Sequence, residues 1–313
     1  KIDGSTSIDR APDVGVADPG FHADASLAIA VPSSAAFDPA SLRGTFFVSS
    51  QFGSDGTEDE PRTSATARNP MTPWATLLYA VSRVEEGDTI ILLPGVYRDS
   101  VQIKRNGITI KAETPDSVVL EPLPQKDTET GALEPTTGFT IEAEDITLDG
   151  LRIRGASTGI SALTGSTGLR IRNCIVLESN GDGIRIFESE GIRIENTIVA
   201  SNLYAGIKLR RSAGIELENN LVYGNGEWGI SLDNSSASDD DVPPISENNL
   251  VAANTITNNA VGNLRLENSA GTIRDNLITD AIGIGLKIEN SDVVLQHNGF
   301  WNPSDPALAI SPD

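Results

Sequence analysis

A glycine-led strand motif that returns every 23 residues restricts the fold of this chain more than any other feature. The motif begins at Gly183 and returns at Gly206 and Gly229, and after a longer gap it begins again at Gly262 and Gly285. Short runs of alternating apolar and polar residues, separated by Gly, Asn and Ser, are typical of strands and turns. A period of this length indicates stacked units that share one continuous core. The sequence therefore predicts an all-β parallel solenoid.

A second strand motif accompanies the first and ends in a polar turn. It begins at Leu169, Ile192 and Ile215, and each copy closes with an asparagine. Stacked Asn and Asp residues at a turn can hydrogen-bond the neighbouring backbone, so we interpret this position as structural. The residues that we assign to this turn column are Asp149, Asn173, Asn196, Asn219, Asn254, Asp275 and His297.

The composition limits the classes of partner. The chain of 313 residues has a formal net charge of −21, and such a surface repels nucleic acid and anionic membranes. It also repels a polyanionic substrate, unless a local basic patch or a bound cation reverses the field. No run of 18 apolar residues is present, so we expect no transmembrane segment. The single cysteine, Cys174, lies inside a strand motif and is predicted to be a small buried residue.

The chain divides into a leader and a repeat domain. Residues 1–44 are rich in Asp, Ala, Ser and Pro without a sustained period, which predicts an acidic extended leader or linker. Residues 45–313 form the predicted solenoid domain. Within it, residues 72–81 are predicted to form a short helix, with Thr72 as N-cap and Pro73 at the first helical position. A helix at this place would cover the open edge of the first coil.

The order of motifs near the start of the repeat domain is familiar. Residues 47–50, 53–56, 73–77, 87–90 and 93–97 follow one another in an order that resembles the N-terminal cap of a known superfamily. That superfamily is the pectate-lyase-like superfamily of secreted right-handed parallel β-helix proteins. The resemblance extends to about residue 300 and implies a right-handed β-helix with a short capping helix, secreted or at the cell surface. The superfamily contains lyases, hydrolases, epimerases, adhesins and sensors, so function must be argued from the site.

The repeat register gathers basic residues into one column. The first outward residue of successive coils is, in order, Ser161, Arg185, Lys208, Ser231, Arg265 and Lys287. Neighbouring coils lie about 4.8 Å apart, so the stretch from Arg185 to Lys287 spans roughly 19 Å. The next outward column contains Leu163, Phe187, Arg210, Asp233, Glu267 and Glu289. Its acidic residues predict ion pairs in the later coils. Around Arg185, Lys208, Arg210 and Arg211 the positive charge is uncompensated within the columns, which indicates a binding surface for an acidic polysaccharide.

Aromatic residues stand next to this basic patch. Tyr204 and Trp228 belong to the turn that leads into the basic strands, and aromatic rings are natural platforms for sugar rings. Glu227 occupies the same turn, so we include it among the substrate-binding residues.

The one interruption of the repeat is an acidic insertion. The interval from Gly229 to Gly262 is 33 residues, so about ten residues are inserted within 234–246. Insertions in solenoids become loops on one face, often the binding face. Clustered carboxylates suit Ca²⁺, which prefers oxygen ligands, so the candidate metal ligands are Asp233, Asp239, Asp240 and Asp241. The alternative is a solvated acidic loop.

A lyase-type β-elimination is the reaction that best fits these residues. It requires a base for the proton beside a carboxylate and cations that neutralise the carboxylate charge. We assign Lys208 as base, Arg210 as its catalytic partner, and Arg185 and Arg211 as carboxylate ligands. Residues 205–209 are similar to the base-bearing strand of one pectate lyase family, which implies a Lys base and often a calcium ion.

The alternative is a non-catalytic protein. In that pectate lyase family an acidic calcium cluster precedes the base, and here it is reduced to Asp182. Glycoside hydrolysis would need two nearby carboxylates, for which Asp182 with Glu227 is one pairing. A glycan-binding or cell-surface structural β-helix needs neither. In both readings we expect a monomer whose partner is a polysaccharide, in the first a uronate-containing one, and neither nucleic acid nor a membrane.

Overall fold

The computed structural model describes residues 44–57, 60–126, 131–234, 246–301 and 308–310. Apart from residue 44, the predicted acidic leader lies outside the described residues, and its boundary stays a prediction. Neither helix in the part of the chain that the structure describes is long and apolar enough to cross a membrane.

Three parallel sheets run along the molecule, and each coil adds one strand to each sheet. The strands of sheet 1 are Thr45–Val48, Thr89–Leu92, Thr109–Ala112, Thr147–Asp149, Arg170–Arg172, Arg193–Glu195, Glu216–Glu218, Ser246–Ala252, Ser269–Arg274 and Asp292–Gln296. The strands of sheet 2 are Gly95–Tyr97, Val118–Leu120, Arg152–Arg154, Ile175–Leu177, Ile198–Ala200, Leu221–Tyr223, Thr255–Thr257, Leu277–Thr279 and Gly299–Trp301. The strands of sheet 3 are Val101–Ile103, Phe139–Ile141, Ile160–Ala162, Ile184–Phe187, Ile207–Arg210, Trp228–Asp233, Gly262–Glu267, Ile284–Glu289 and Leu308–Ile310. The predicted parallel β-solenoid is therefore confirmed.

The core is a set of aliphatic columns inside the three sheets. Each strand points one or two apolar side chains inward, and the side chains on either side of these point outward, as the period of two requires. One inward column of sheet 3 contains Ile141, Ala162, Ile186, Leu209, Leu232, Leu266 and Ile288, all buried. Cys174 is also fully buried in this core, as predicted.

Buried asparagine side chains join each coil to the next at two turns. Between sheets 1 and 2 the ladder runs through Thr197, Asn220, Asn254, Asn276 and Asn298. Between sheets 2 and 3 it runs through Ser179, Asn202, Asn225, Asn259 and Asn263. In each step a side-chain oxygen of one coil accepts the backbone N–H of the preceding coil, except in the last step, where Asn259 and Asn263 belong to the same coil. The ladders therefore satisfy buried donors that a turn would otherwise leave without partners.

The repeated glycines are required by these ladders. A Cβ on Gly183, Gly206 or Gly229 would lie 2.5–2.7 Å from the Nδ2 atom of the ladder asparagine on the following coil. None of the three has a positive φ, so glycine is needed here for space and not for an unusual backbone conformation. In the next coil Asn263 takes this position, and its own Oδ1 accepts from Asn259. The period that dominates the sequence thus reflects glycine and asparagine packed against each other.

The exposed turn column between sheets 1 and 2 differs from the predicted one by two residues. Its members all have positive φ: Gly150, Asn173, Asn196, Asn219, Ala253, Asp275 and His297. Asp149 lies one position earlier, at the end of its strand, and Asn254 lies one position later, inside the buried ladder. Asparagine adopts this backbone conformation more readily than most residues, which explains the column. The structural interpretation of the column holds.

A short helical cap covers the first coil, but its helix starts later than predicted. The helices are Ser64–Ala67 and Leu77–Arg83, and Thr76, not Thr72, is the N-cap of the second, accepting from the Tyr79 N–H. Trp74 stays extended because its ring stacks on Phe46 at 5.1 Å between centroids. A two-stranded antiparallel hairpin, Gln125–Lys126 with Leu133–Glu134, completes the described elements.

The ladder predicts a specific stability effect at Asn225. This side chain donates to Asn259 Oδ1 and to the Val199 carbonyl, and its oxygen accepts from Asn202. We expect Asn225→Ala to lower the free energy of unfolding by about 1–3 kcal/mol, because buried donors and acceptors lose their partners. The matched control is Asn180→Ala on the exposed surface, expected to change it by less than about 0.5 kcal/mol. Urea unfolding followed by circular dichroism measures both, and equal effects would contradict the role of the ladder.

Candidate functional site

The predicted basic column lies on the outward face of sheet 3. Ser161 pairs with Arg185, Arg185 with Lys208, and Lys208 with Ser231 in parallel register. The column continues through Arg265 to Lys287. The second outward column runs from Phe187 through Arg210, Asp233 and Glu267 to Glu289. The structure thus brings the predicted residues together in the expected order.

The later coils neutralise their own charges. Arg265 contacts Asp233 at 3.7 Å and forms a closer ion pair with Glu267. The Lys287 Nζ atom lies 2.5 Å from Glu289. That hydrogen bond lowers the pKa of the Glu289 carboxyl. The ion pairs predicted for this end of the face are present.

The earlier coils carry cations with less compensation. Arg185 is exposed, and no carboxylate among the described residues pairs with it. Arg210 is half-buried and likewise has no ion pair in the described part of the chain; its Nε atom is buried without an acceptor there. Lys208 lies between them, and its Nζ atom is 4.0 Å from Glu227 Oε2. Like charges side by side in register are unfavourable, so Arg185 and Lys208 form a surface that favours an anion.

Arg211 has a partner that the column analysis did not identify. It occupies a turn position with φ of 48° directly after the strand. Its guanidinium lies 4.6 Å from the centroid of the Phe187 ring and 2.6 Å from Glu188 Oε1. Glu188 stands 23 residues before Arg211, so the repeat period itself places these two side chains on neighbouring coils. Arg211 is therefore the most compensated of the four cations.

The aromatic residues form the rim of this face. Tyr204 and Glu227 are neighbours on successive coils, because the Glu227 N–H donates to the Tyr204 carbonyl. Tyr204 is 49% exposed. Trp228 opens the next strand of sheet 3 and packs against the backbone of Gly262, with which it pairs in register. Both rings therefore lie at the edge from which the basic strands begin.

Other candidates do not form a reactive site. Asp182 is only 5% exposed and accepts the Ala205 N–H, so its role is structural and it does not supply an accessible carboxylate for hydrolysis. Burial raises the pKa of the Cys174 thiol to about 12, so this thiol is not a nucleophile. His297 contacts Asp275 in the exposed turn between sheets 1 and 2.

The predicted calcium ligands lie mainly outside the structure that can be described. Asp239, Asp240 and Asp241 belong to undescribed residues 235–245, between the strand that ends at Asp233 and the strand that begins at Ser246. Ile230 pairs with Leu264, an interval of 34 residues, so the insertion amounts to 11 residues. No group of three His, Cys, Asp or Glu side chains suited to a metal occurs within the described ranges.

Comparisons with known proteins agree with this geometry. Residues 137–240 match the family model described as the right handed beta helix region. The match covers about a third of the chain and, with the three stacked parallel sheets, supports a right-handed parallel β-helix fold. The predicted right-handed β-helix fold is therefore confirmed.

Solved structures similar to this β-helix include several carbohydrate-active proteins. The A-module of Azotobacter vinelandii mannuronan C-5 epimerase AlgE6 has a TM-score of 0.55 at 16% identity, covering 68% of this chain and 67% of its own. The pectin methylesterase of Aspergillus niger has a TM-score of 0.55 at 12% identity, covering 86% and 90%. Pectate lyase Pel9A has a TM-score of 0.52 at 12% identity, covering 85% and 81%. Among curated proteins no sequence matches this β-helix.

The packing of Trp228 against Gly262 predicts the effect of a substitution at Gly262. A Cβ at Gly262 would lie 2.3 Å from Trp228 Cζ3 and 2.5 Å from the Ile284 carbonyl oxygen. We expect Gly262→Ala to displace the indole and to lower stability by about 1–3 kcal/mol through overpacking. Near-ultraviolet circular dichroism and tryptophan emission report the displacement.

The matched control for this change is Gly299→Ala. A Cβ at Gly299 meets its nearest atom, Leu277 Cδ1, at 3.4 Å, an ordinary contact. The control is expected to leave the spectra unchanged. Unchanged spectra for Gly262→Ala as well would contradict the described position of Trp228.

Proposed function

We propose that the outward face of sheet 3 around Lys208 binds an acidic polysaccharide. The observation that carries this proposal is the trio Arg185, Lys208 and Arg210. Arg185 and Lys208 pair in register, and Arg210 follows on the strand of Lys208, beside Asp233. Among the described residues the only ion pair of the trio is that of Lys208 with Glu227, at 4.0 Å. A chain with a net charge of −21 repels polyanions, so an anionic ligand requires a local cationic surface. The later coils of the same face lack this property, because their cations are paired.

The rim residues suit a sugar chain. Tyr204 and Trp228 present aromatic surface beside the cations, where a pyranose ring could stack while its carboxylate meets a guanidinium. Arg185 and Arg210 offer planar forks of donors that match a carboxylate. Arg210 in addition has a buried Nε–H without an acceptor in the described chain, and a ligand oxygen would satisfy it. Arg211, held by Glu188, would border the site and contact substrate more weakly.

The reaction that we propose is a β-elimination on a uronate unit. Arg185 and Arg210 would neutralise the carboxylate and so stabilise the carbanion that develops beside it. Lys208, as the neutral amine, would take the proton from the carbon next to the carboxylate. The electron pair of that C–H bond would form the new carbon–carbon double bond as the glycosidic C–O bond breaks, and the leaving oxygen would take a proton from solvent. The products would be an unsaturated uronate end and a new reducing end.

The comparisons support a polysaccharide by analogy. The similar structures include proteins named for mannuronan, pectate and pectin, and their low identity extends the likeness only to the fold. We further propose that the protein acts outside the cell or at its surface, where such polymers occur. A calcium ion held by Asp233 and the 239–241 loop stays a proposal that chelation tests.

A second candidate function is glycan binding without catalysis. The contact between Lys208 and Glu227 favours this alternative, because it engages the proposed base in an ion pair. The same cations and rings would then hold the glycan without cleaving it.

The decisive test incubates the protein with polygalacturonate, polymannuronate and polyguluronate, with Ca²⁺ or with a chelator. A lyase produces unsaturated uronates, which absorb ultraviolet light, so the ultraviolet absorbance of the mixture rises. We expect Lys208→Ala to lower this rate by about 10²–10⁴-fold, because a general base contributes that much. The control is Lys287→Ala, a lysine of the same column that is paired with Glu289, which should retain the rate.

The outcomes separate the two functions. No product from any polymer, together with binding that Arg185→Ala and Arg210→Ala weaken, would establish the non-catalytic alternative. No binding at all would overturn both. Equal losses in Lys208→Ala and Lys287→Ala would show that only general charge matters.

Glu227 provides a separate test of the base. Replacing Glu227 with Gln removes the carboxylate 4.0 Å from Lys208 and so breaks the ion pair that engages the amine. If Lys208 is the base, Glu227→Gln retains or raises the elimination rate. A loss as large as that of Lys208→Ala would instead identify Glu227 as the proton acceptor.

A further inference from the structure

The outward face of sheet 2 carries no charge over its last six strands. Each strand from Ile175–Leu177 to Gly299–Trp301 has two outward positions. The residues at these positions are Ile175, Leu177, Ile198, Ala200, Leu221, Tyr223, Thr255, Thr257, Leu277, Thr279, Gly299 and Trp301, of which Ala200 is buried. We call this surface the neutral strip. In a chain with 67 charged residues among 313 such a surface is unusual, and it contrasts with the ion pairs on sheets 1 and 3.

Two aromatic rings mark the neutral strip. Tyr223, Thr257, Thr279 and Trp301 form one continuous column in register. Tyr223 is 38% exposed and Trp301 is 64% exposed. Three coil spacings separate them, about 14 Å. Between the rings the Thr279 hydroxyl donates to the Thr257 hydroxyl at 3.0 Å. The two residues at the centre of the column are therefore polar but uncharged.

The size of the neutral strip excludes a stable dimer built on it alone. Five spacings of about 4.8 Å and two outward residues per strand give an area about 24 Å long and about 10 Å wide. That is roughly 240 Å², well below the ~800 Å² that each partner buries in a stable protein interface. The net charge of −21 also repels a second copy. The strip therefore fits a narrow, extended ligand better than a folded partner.

The charged residues around the neutral strip indicate which class of extended ligand it could bind. The nearest charged residues are Arg152 and Arg154, in register with the first strand of the strip, and the rim carboxylates Glu178, Asp275 and Asp280. Arg152 lies 3.7 Å from Asp116 and Arg154 lies 3.4 Å from Glu121, so both arginines are paired with carboxylates. The strip itself carries no cation, and its rim carboxylates disfavour a polyanion. Exposed aromatic rings flanking hydroxyl groups suit the flat apolar faces and hydroxyls of sugar rings. We propose that the neutral strip is a second carbohydrate-binding surface, for an uncharged extended glycan that lies along the helix axis.

The test uses neutral oligosaccharides as probes, namely cellohexaose, xylohexaose and mannohexaose. Binding is measured by calorimetry, and by tryptophan emission in a Trp228→Phe background, where Trp301 is the exposed indole and Trp74 is buried. We expect at least one probe to bind with an affinity that does not change between about 0.05 and 0.5 M NaCl, because salt screens only charges. Trp301→Ala and Tyr223→Ala should each weaken binding about tenfold.

Controls separate this proposal from the site on sheet 3. Phe52→Ala changes another exposed aromatic residue, in the cap, and should retain the affinity. Lys208→Ala should also retain neutral-glycan binding, while Trp301→Ala and Tyr223→Ala should retain binding of acidic polymers. The two proposals can therefore fail separately.

Three results would overturn the proposal: no probe binds, binding survives the double change Tyr223→Ala and Trp301→Ala, or Trp301→Ala abolishes a concentration-dependent dimer seen by sedimentation. The last result would show that the strip is an interface between copies. All variants change surface residues, and far-ultraviolet circular dichroism confirms that they fold.

Discussion

Side-chain amides that bond the backbone of the neighbouring coil determine the register on which every other feature of this molecule depends. Asn202, Asn225 and Asn259 each bind the backbone of the preceding coil at a defined height, and a glycine on that coil leaves room for each amide. Because buried amides cannot shift by one residue without losing their partners, residues about 23 apart share one position on the surface. Hydrophobic stacking alone would stabilise several registers; the ladders select one.

This register gives each outer face a distinct chemical character. On sheet 3 it places Arg185 beside Lys208, while a few coils later it places Arg265 beside acidic partners that neutralise it. On the last six strands of sheet 2 it places uncharged residues side by side, and the exposed Trp301 lies on the last of these strands. A solenoid can thus present two surfaces of different chemistry on one rigid core, and the two proposed glycan surfaces follow from that property.

Much of the fold could be predicted from the sequence, because a constant period translates directly into stacking. The columns through Arg185 and Lys208 needed only that period. The start of the capping helix was wrong, since Thr72 as N-cap ignored the stacking of Trp74 on Phe46, a tertiary contact. Asp149 and Asn254 were placed one residue from their observed turn positions, because a two-residue turn offers two candidate asparagine sites. The pairing of Arg211 with Glu188 was missed because the columns predicted for sheet 3 ended with the strand and left out the turn after it, although 23 residues separate the two.

We propose above that Arg185, Lys208 and Arg210 on sheet 3 bind uronate carboxylates. A crystal structure of the protein with a trigalacturonate or trimannuronate tests it most directly. The account predicts sugar carboxylates at about 2.7–2.9 Å from the guanidinium nitrogens of Arg185 or Arg210, with a ring against Tyr204 or Trp228 and the proton beside the carboxylate facing Lys208. An oligosaccharide bound elsewhere, with these three cations still facing solvent, would contradict it.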